Sequence, residues 1–170
     1  MSIDKDIFAD YPQQVPAGTE RTSAIYKLST GFYALHGRQP GAPAPGADYL
    51  FNDGRIAVFQ GAPDKAAAGT PEEPGPVYTL QPGGAPAVPT GLVFIRLRNG
   101  LPIDGSEAEI KKAGYEIAER VEYASNAAWL RARSGNIADA LKGIERLKSM
   151  PDVENVEPQM LMESARRQEG

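Results

Sequence analysis

The sequence predicts an α+β chain in two parts, on three observations. Breakers are spread unevenly: residues 1–90 hold 12 of the 15 Pro and 11 of the 18 Gly. Short runs rich in aromatics, separated by turn residues, fill that first half. The second half is more regular, and its strand-like alternation gives way twice to helical spacing. The order read there is strand, helix, strand, strand, helix, strand. This is a βαββαβ arrangement of the ferredoxin-like kind, assigned to residues 89–170. Residues 1–88 are expected to form a small β-rich unit. Between the two, Gln81–Thr90 (QPGGAPAVPT) reads as a linker or long loop.

In the first half, Ser23–Leu28 (SAIYKL) and Phe32–His36 (FYALH) read as two short strands. Tyr49–Phe51 and Arg55–Gln60 flank Asn52-Asp53-Gly54, a hairpin signal because these residues tolerate positive φ. Val77–Leu80 is a further strand. The segments 37–46 and 61–75 are loops, because proline removes a ladder donor and is unwelcome in a central strand. The expected result is a small meander or open barrel of about four to six strands.

In the second half, Leu92–Arg98 (LVFIRLR) is an apolar run with the look of a buried strand. Asp104-Gly105-Ser106 opens a short helix, with Ser106 and Glu109 spaced as a capping box. Gly114 supplies the stop. Tyr115–Tyr123 and Ala127–Arg133 are strands. In the latter, Ala128, Leu130 and Ala132 share one face and Trp129, Arg131 and Arg133 the other. Asn136 caps a second helix with a stripe of Ile137, Ala140, Leu141, Ile144 and Leu147, ended by Pro151. Val153–Val156 closes the series. Two helices would cover one sheet face. The other face carries Phe94 and Trp129, and such an apolar face invites a docking partner unless the first half covers it.

Composition narrows the chemistry. Hydrophobic residues are 41%, and Lys+Arg 18 against Asp+Glu 22 gives a net charge of -4. An acidic balance argues against nucleic-acid binding, which draws most of its affinity from phosphate contacts. With no Cys and one His, thiol chemistry and a multi-His metal site are excluded. His36 has no serine-nucleophile motif to serve and reads as a surface or strand-end histidine. Glu72-Glu73 lies between prolines and reads as solvated. Nothing in these residues supports an enzyme, and no cofactor is expected. The start, MSIDKDIFADYPQQ, lacks a signal-peptide pattern, and no run approaches a membrane span. A cytoplasmic protein with no membrane partner is therefore expected.

The last third carries the most specific signal. Asn126–Arg133, the helix from Asn136 to Leu147, and then Pro151, Val153, Val156, Glu157 and Pro158 in that spacing, resemble the end of subtilisin propeptides. Gly91–Gly100 and the turn after it resemble the start of the same domain, so the resemblance spans about residues 91–170. It implies a ferredoxin-like domain that docks its open sheet face, with Phe94 and Trp129, on a subtilisin-like serine protease. Glu157 would cap a protease helix N-terminus, a site of free N–H donors and partial positive charge. The family often has a second acid where this chain has Gln159. The tail Met160-Leu161-Met162-Glu163-Ser164-Ala165 would lie in the active-site cleft, Met162 in its deep apolar pocket. No protease domain follows Gly170, so the expected role is a stand-alone inhibitor, with a folding-chaperone role also open. The alternatives are a ferredoxin-like sensor and an interaction scaffold with no protease target.

Overall fold

A computed structural model describes residues 8–18, 24–61, 73–81 and 84–162. Its strands are β1 (Gln14–Pro16), β2 (Ile25–His36), β3 (Tyr49–Phe51), β4 (Ile56–Gln60), β5 (Glu73–Gln81), β6 (Ala85–Leu97), β7 (Tyr115–Arg120), β8 (Ala127–Ala132) and β9 (Val153–Leu161). Its helices are α1 (Glu107–Lys112), entered through a 3-10 turn at Ile103–Ser106, α2 (Ile137–Lys142) and α3 (Ile144–Lys148). Strands hold 48% of the described residues and helices 15%. The α+β, ferredoxin-like class expected from the sequence is therefore corrected. The described chain is dominated by antiparallel β-sheet, and its helices are one or two turns long.

Two features produced that misreading. Of the proline-bearing stretches taken for loops and linker, residues 73–75 and 85–90 are strand, whereas 37–46 is loop as expected. Pro74 and Pro76 lie within β5, and Pro86 and Pro89 within β6. The register between these strands runs through Tyr78↔Ala87, Thr79↔Pro86 and Leu80↔Ala85, so pairing passes through Pro86. Second, the helical stripe from Asn136 is interrupted at Gly143, which has ψ near 0 and separates α2 from α3. A Cβ at Gly143 would lie 2.6 Å from the Tyr115 hydroxyl and 2.9 Å from Arg146 Nη2. The chain turns there around a buried phenol.

The chain divides into two compact units. One comprises Lys27–Val88 with Leu161; the other comprises Pro89–Met160 with the described residues up to Tyr26. The division at Val88/Pro89 falls inside β6 and not in a linker.

In the Lys27–Val88 unit the strand order is β3-β4-β2-β5-β6. Antiparallel pairs Phe32↔Gln60, Tyr33↔Phe59, Ala34↔Val58 and Leu35↔Ala57 join β2 to β4. Alternation puts Ala34 and Val58 on one face, where they form a core with Ile56, Val77 and Val88. Tyr33 and Phe59 stack on the other face at 5.4 Å between centroids. The two strands expected around Gly31 are a single twelve-residue β2. The β3–β4 turn follows the sequence signal: Asn52, Asp53 and Gly54 all have positive φ. Arg38, only 7% exposed, fastens the loop after β2. Its guanidinium donates to the carbonyls of Gly54, at 2.6 Å, and Pro43, at 2.7 Å, with a longer bond to Ala42.

In the other unit the order is β9-β6-β8-β7. The register Val93↔Leu130, Phe94↔Trp129, Ile95↔Ala128 buries Val93, Ile95, Ala128 and Leu130. The helices contribute Ile110, Ala138, Leu141, Ile144 and Leu147 to the core. β1 pairs with β2, and Val15 is 1% exposed. A register shift between Ile117 and Glu119 bulges β7, which ends at Arg120 and not at Tyr123. Gly91 has φ +97 within β6, and a Cβ there would meet Ile137 at 3.1 Å. Glycine takes up that positive φ without the cost a side chain would carry, and leaves room for Ile137.

Capping follows the sequence at one helix and departs from it at the other. Asn136 accepts from Ala138 N–H and Asp139 N–H, at 2.8 and 3.4 Å. Ser106 makes no side-chain cap bond, because the preceding 3-10 turn holds it at φ -107, ψ 9 and not in the extended conformation a cap requires. Gly114, at φ +98, ends α1 as its position predicts.

Candidate functional site

The residues singled out by the sequence lie on β6, β8 and β9. In-register pairing of Phe94 with Trp129 brings their rings to 5.2 Å at 61°, an edge-to-face contact. Both are half-buried. Strand periodicity places Arg96 and Arg131 on the same faces of their strands as Phe94 and Trp129. Arg96 Nε lies 3.1 Å from Glu154 Oε1, and Arg131 Nε 2.6 Å from Glu116 Oε2. All four charged groups are substantially exposed, so these pairs contribute little stability each. What they define is a rim: an aromatic pair between two ion pairs, apolar at the centre and charged at the edge.

β9 brings the acidic and apolar tail residues together. It runs five residues further than expected, to Leu161. Glu157 is exposed and accepts from Asn155 Nδ2 at 2.7 Å. Its carboxylate is also near Tyr26, whose hydroxyl is held above the usual phenol range, first by burial and then by the Glu157 charge. Gln159 is not oriented by a charge: its Oε1 accepts from the Thr90 hydroxyl at 2.8 Å, which in turn accepts from Leu92 N–H. Met160, Leu161 and Met162 are half-buried. Leu161 packs against the Ala34, Ile56, Val58, Val77 and Val88 core. Glu163, Ser164 and Ala165 lie outside the described residues.

The structure thus brings Phe94 and Trp129 into contact and continues the chain beyond Glu157 in extended form. It does not leave Gln159–Leu161 as a free tail. The apolar sequence Met160-Leu161-Met162 was the available signal for the core contact, because an apolar triplet ending a strand pattern fits a packed position as well as a pocket ligand. Arg38 had no signal: a guanidinium in a Gly/Pro loop reads as solvated until the turn that receives it is in place.

The His36 ring lies against the Gly75 backbone, where a Cβ would come within 2.8 Å of its Nε2, and that nitrogen is buried without a hydrogen-bond partner. Burial lowers its proton affinity, partly offset by Glu73. Among the described residues no three His, Cys, Asp or Glu side chains form a metal-binding group. No helix among them is long and apolar enough to cross a membrane. Neither a family model, a curated protein nor a solved structure matches the chain.

Proposed function

We propose that this chain is an inhibitor of a subtilisin-like serine protease. It docks the Phe94–Trp129 surface on the enzyme and presents the segment after Glu157 to the active-site cleft. The observation that carries the reading is the conformation of β9. An exposed carboxylate at Glu157 is followed directly by chain already extended through Leu161. A protease cleft reads its ligand as an added strand, with backbone bonds for affinity and alternate side chains for specificity. A ligand held extended before binding loses less conformational entropy on entering such a cleft. The aromatic pair and its charged rim have the anatomy of a protein interface, here one of roughly 1,600 Å² in total.

In this mechanism Glu157 meets helix N–H donors of the enzyme, and Gln159 adds an amide acceptor without charge. Met160–Met162 occupy the cleft, with Met162 in the apolar pocket. The chain supplies no reactive group; it inhibits by occupying the substrate path. The test is titration of the intact protein against a purified subtilisin-like protease, followed by hydrolysis of a chromogenic peptide. Stoichiometric inhibition is expected, and Met162→Asp should abolish most of it by placing an unpaired charge in an apolar pocket. Full inhibition by both Met162→Asp and Trp129→Ala would overturn the reading.

A further inference from the structure

We infer that Asn99 is a site of spontaneous deamidation, where the folded chain leaves an Asn-Gly pair open to ring closure by its own backbone. The inference is independent of the inhibitor reading. The chemistry needs an exposed side-chain amide, a following residue that does not shield its own nitrogen, and an N–H that is not already donating. Asn99-Gly100 is the only Asn-Gly pair in the sequence. It lies in a turn after β6, and both residues are exposed. Gly100 has φ +87, and a Cβ built there would meet nothing within 4 Å, so the space beside its backbone is open. The turn is closed by Leu101 N–H, which donates to the Arg98 carbonyl at 3.2 Å. Among the described residues neither the Gly100 N–H nor the Asn99 carboxamide has a hydrogen-bond partner.

Comparable groups elsewhere are engaged. Asn126 Nδ2 donates to the Leu97 carbonyl, Asn136 Oδ1 caps α2, and Asn155 Nδ2 donates to Glu157. The two Asp-Gly pairs could close the same ring, but the Gly54 N–H donates to the Phe51 carbonyl at 3.0 Å and the Gly105 N–H to the Pro102 carbonyl at 3.1 Å. At Asn99 the Gly100 nitrogen, after losing its proton to solvent base, attacks Cγ. A Cγ–N bond forms, the Cγ–Nδ2 bond breaks, and ammonia leaves with a proton from water. Water then opens the resulting succinimide at one of its two imide bonds. Opening at Cγ gives aspartate; opening at the Asn99 main-chain carbonyl gives isoaspartate, with the chain running through Cγ. Either product puts a carboxylate where a neutral amide stood, one residue from Arg98, whose guanidinium pairs with Asp152. Isoaspartate also adds a methylene to the main chain, inside the turn that the Leu101–Arg98 bond closes.

The experiment ages the full chain in mildly alkaline buffer made with heavy-oxygen water, then maps it by mass spectrometry and labels it with protein isoaspartyl methyltransferase. Unstructured peptides of the 97–103, 50–56 and 101–107 sequences are aged alongside. Asn99 in the intact protein should convert within a factor of a few of its peptide, take up heavy oxygen, and yield both aspartate and isoaspartate. Asp53 and Asp104 should isomerise several-fold more slowly than their peptides, because each glycine N–H must first give up its hydrogen bond. The rate at Asn99 should rise with pH, since the attacking nitrogen must lose a proton. Asn99→Gln keeps the amide but would have to close a larger ring, and should lose the modification over the same period. Conversion at Asn99 on the order of tenfold or more slower than in its peptide, the protection of a closed amide, would overturn the inference. So would aspartate as the sole product, which signals direct hydrolysis, or a modification in the same segment that persists in Asn99→Gln.

Discussion

At the scale of single residues, the side chains that fix the backbone are better defined than those that would contact a partner. Arg38 is the clearest. Its guanidinium is buried and satisfied by carbonyls of Ala42, Pro43 and Gly54, so its fork shape matters more than its charge. Arg38→Lys keeps the charge and loses the fork. It should cost about 2–3 kcal/mol in denaturant unfolding, because buried carbonyls are left short of donors. A cost within the error of the measurement would mean the loop holds without it. His36 gives a pH signature. Its folded-state proton affinity is depressed, so the unfolded chain takes up the proton more readily. Its contribution to stability is complete above the ordinary histidine range, near 6.5, and is lost as pH falls through that range. It is the sole imidazole in the chain. Melting temperatures between about pH 8 and about pH 5 should therefore drop in the wild type and drop less in His36→Leu. An equal drop in both would assign the sensitivity to carboxylates. Residue-level signals were legible where one side chain acts on its own backbone: Asn136 caps, the Asn52-Asp53-Gly54 turn forms, and Gly114 stops its helix. They failed at Ser106, because a 3-10 turn upstream changed the backbone on which the cap depends; Arg38 gave no signal, because its carbonyl acceptors at Ala42, Pro43 and Gly54 come together only once the loop has folded.

At the scale of elements, Gly91 and Gly143 show where small size is required. Gly91→Ala would put a Cβ 3.1 Å from Ile137 at φ +97, and should cost roughly 2 kcal/mol through strain and crowding together. Gly143→Ala should act similarly, by pushing on the Tyr115 hydroxyl that donates to the Ala140 carbonyl. Burial holds that phenol far above its ordinary range, so it stays protonated and keeps donating. Equilibrium unfolding checks both variants; a Gly143→Ala protein as stable as wild type would show that Tyr115 can move aside. Asn136→Ala should cost about 1 kcal/mol, the usual worth of an N-cap. Elements were legible where hydrophobic alternation is clean, as in β8, whose bounds match the expected strand within one residue. They were not legible where Pro and Gly punctuate strands. The start of β5, before the expected strand Val77–Leu80, and the first half of β6 read as loop and linker because a proline in a ladder is normally an interruption. β9 was read as Val153–Val156, with the apolar residues beyond Glu157 assigned to an extended tail, whereas the strand runs on to Leu161.

At the scale of the molecule, the composition shift marks a division near residues 88 and 89 but not the composition of each compact unit. The units are divided at Val88/Pro89, and residues up to Tyr26 group with the later stretch and Leu161 with the earlier one. No pattern within the sequence announces such an exchange, because a strand's periodicity records which face is buried and not which unit buries it. The exchange also changes how fragments must be designed. A piece spanning 90–170 lacks β1 and the start of β2, and should be less stable than its own share of the intact protein. Truncation after Pro158 removes the tail and also the Leu161 core contact. It should therefore lower the stability of the Lys27–Val88 unit by about 1–2 kcal/mol, a partly buried leucine's share. A truncated protein melting like the intact one would show that Leu161 is peripheral to that core.

Interleaving also bears on how the protein is made. Synthesis delivers the chain from its N-terminus, so β1 emerges well before β6, β8 and β9, and all of β3, β4 and β5 must pass between them. The Lys27–Val88 strands can pair early, and Leu161, which packs on their core, follows the whole of the later unit. The later unit takes in residues up to Tyr26, made first, and the earlier unit gains Leu161, made near the end. Contacts between residues so far apart in sequence carry a loop-closure penalty before they yield any stability, which slows folding. The two bodies are consequently expected to mature together after translation and not in series. In the interval, the apolar strands of β4 and β5 are the surfaces a holdase chaperone would meet.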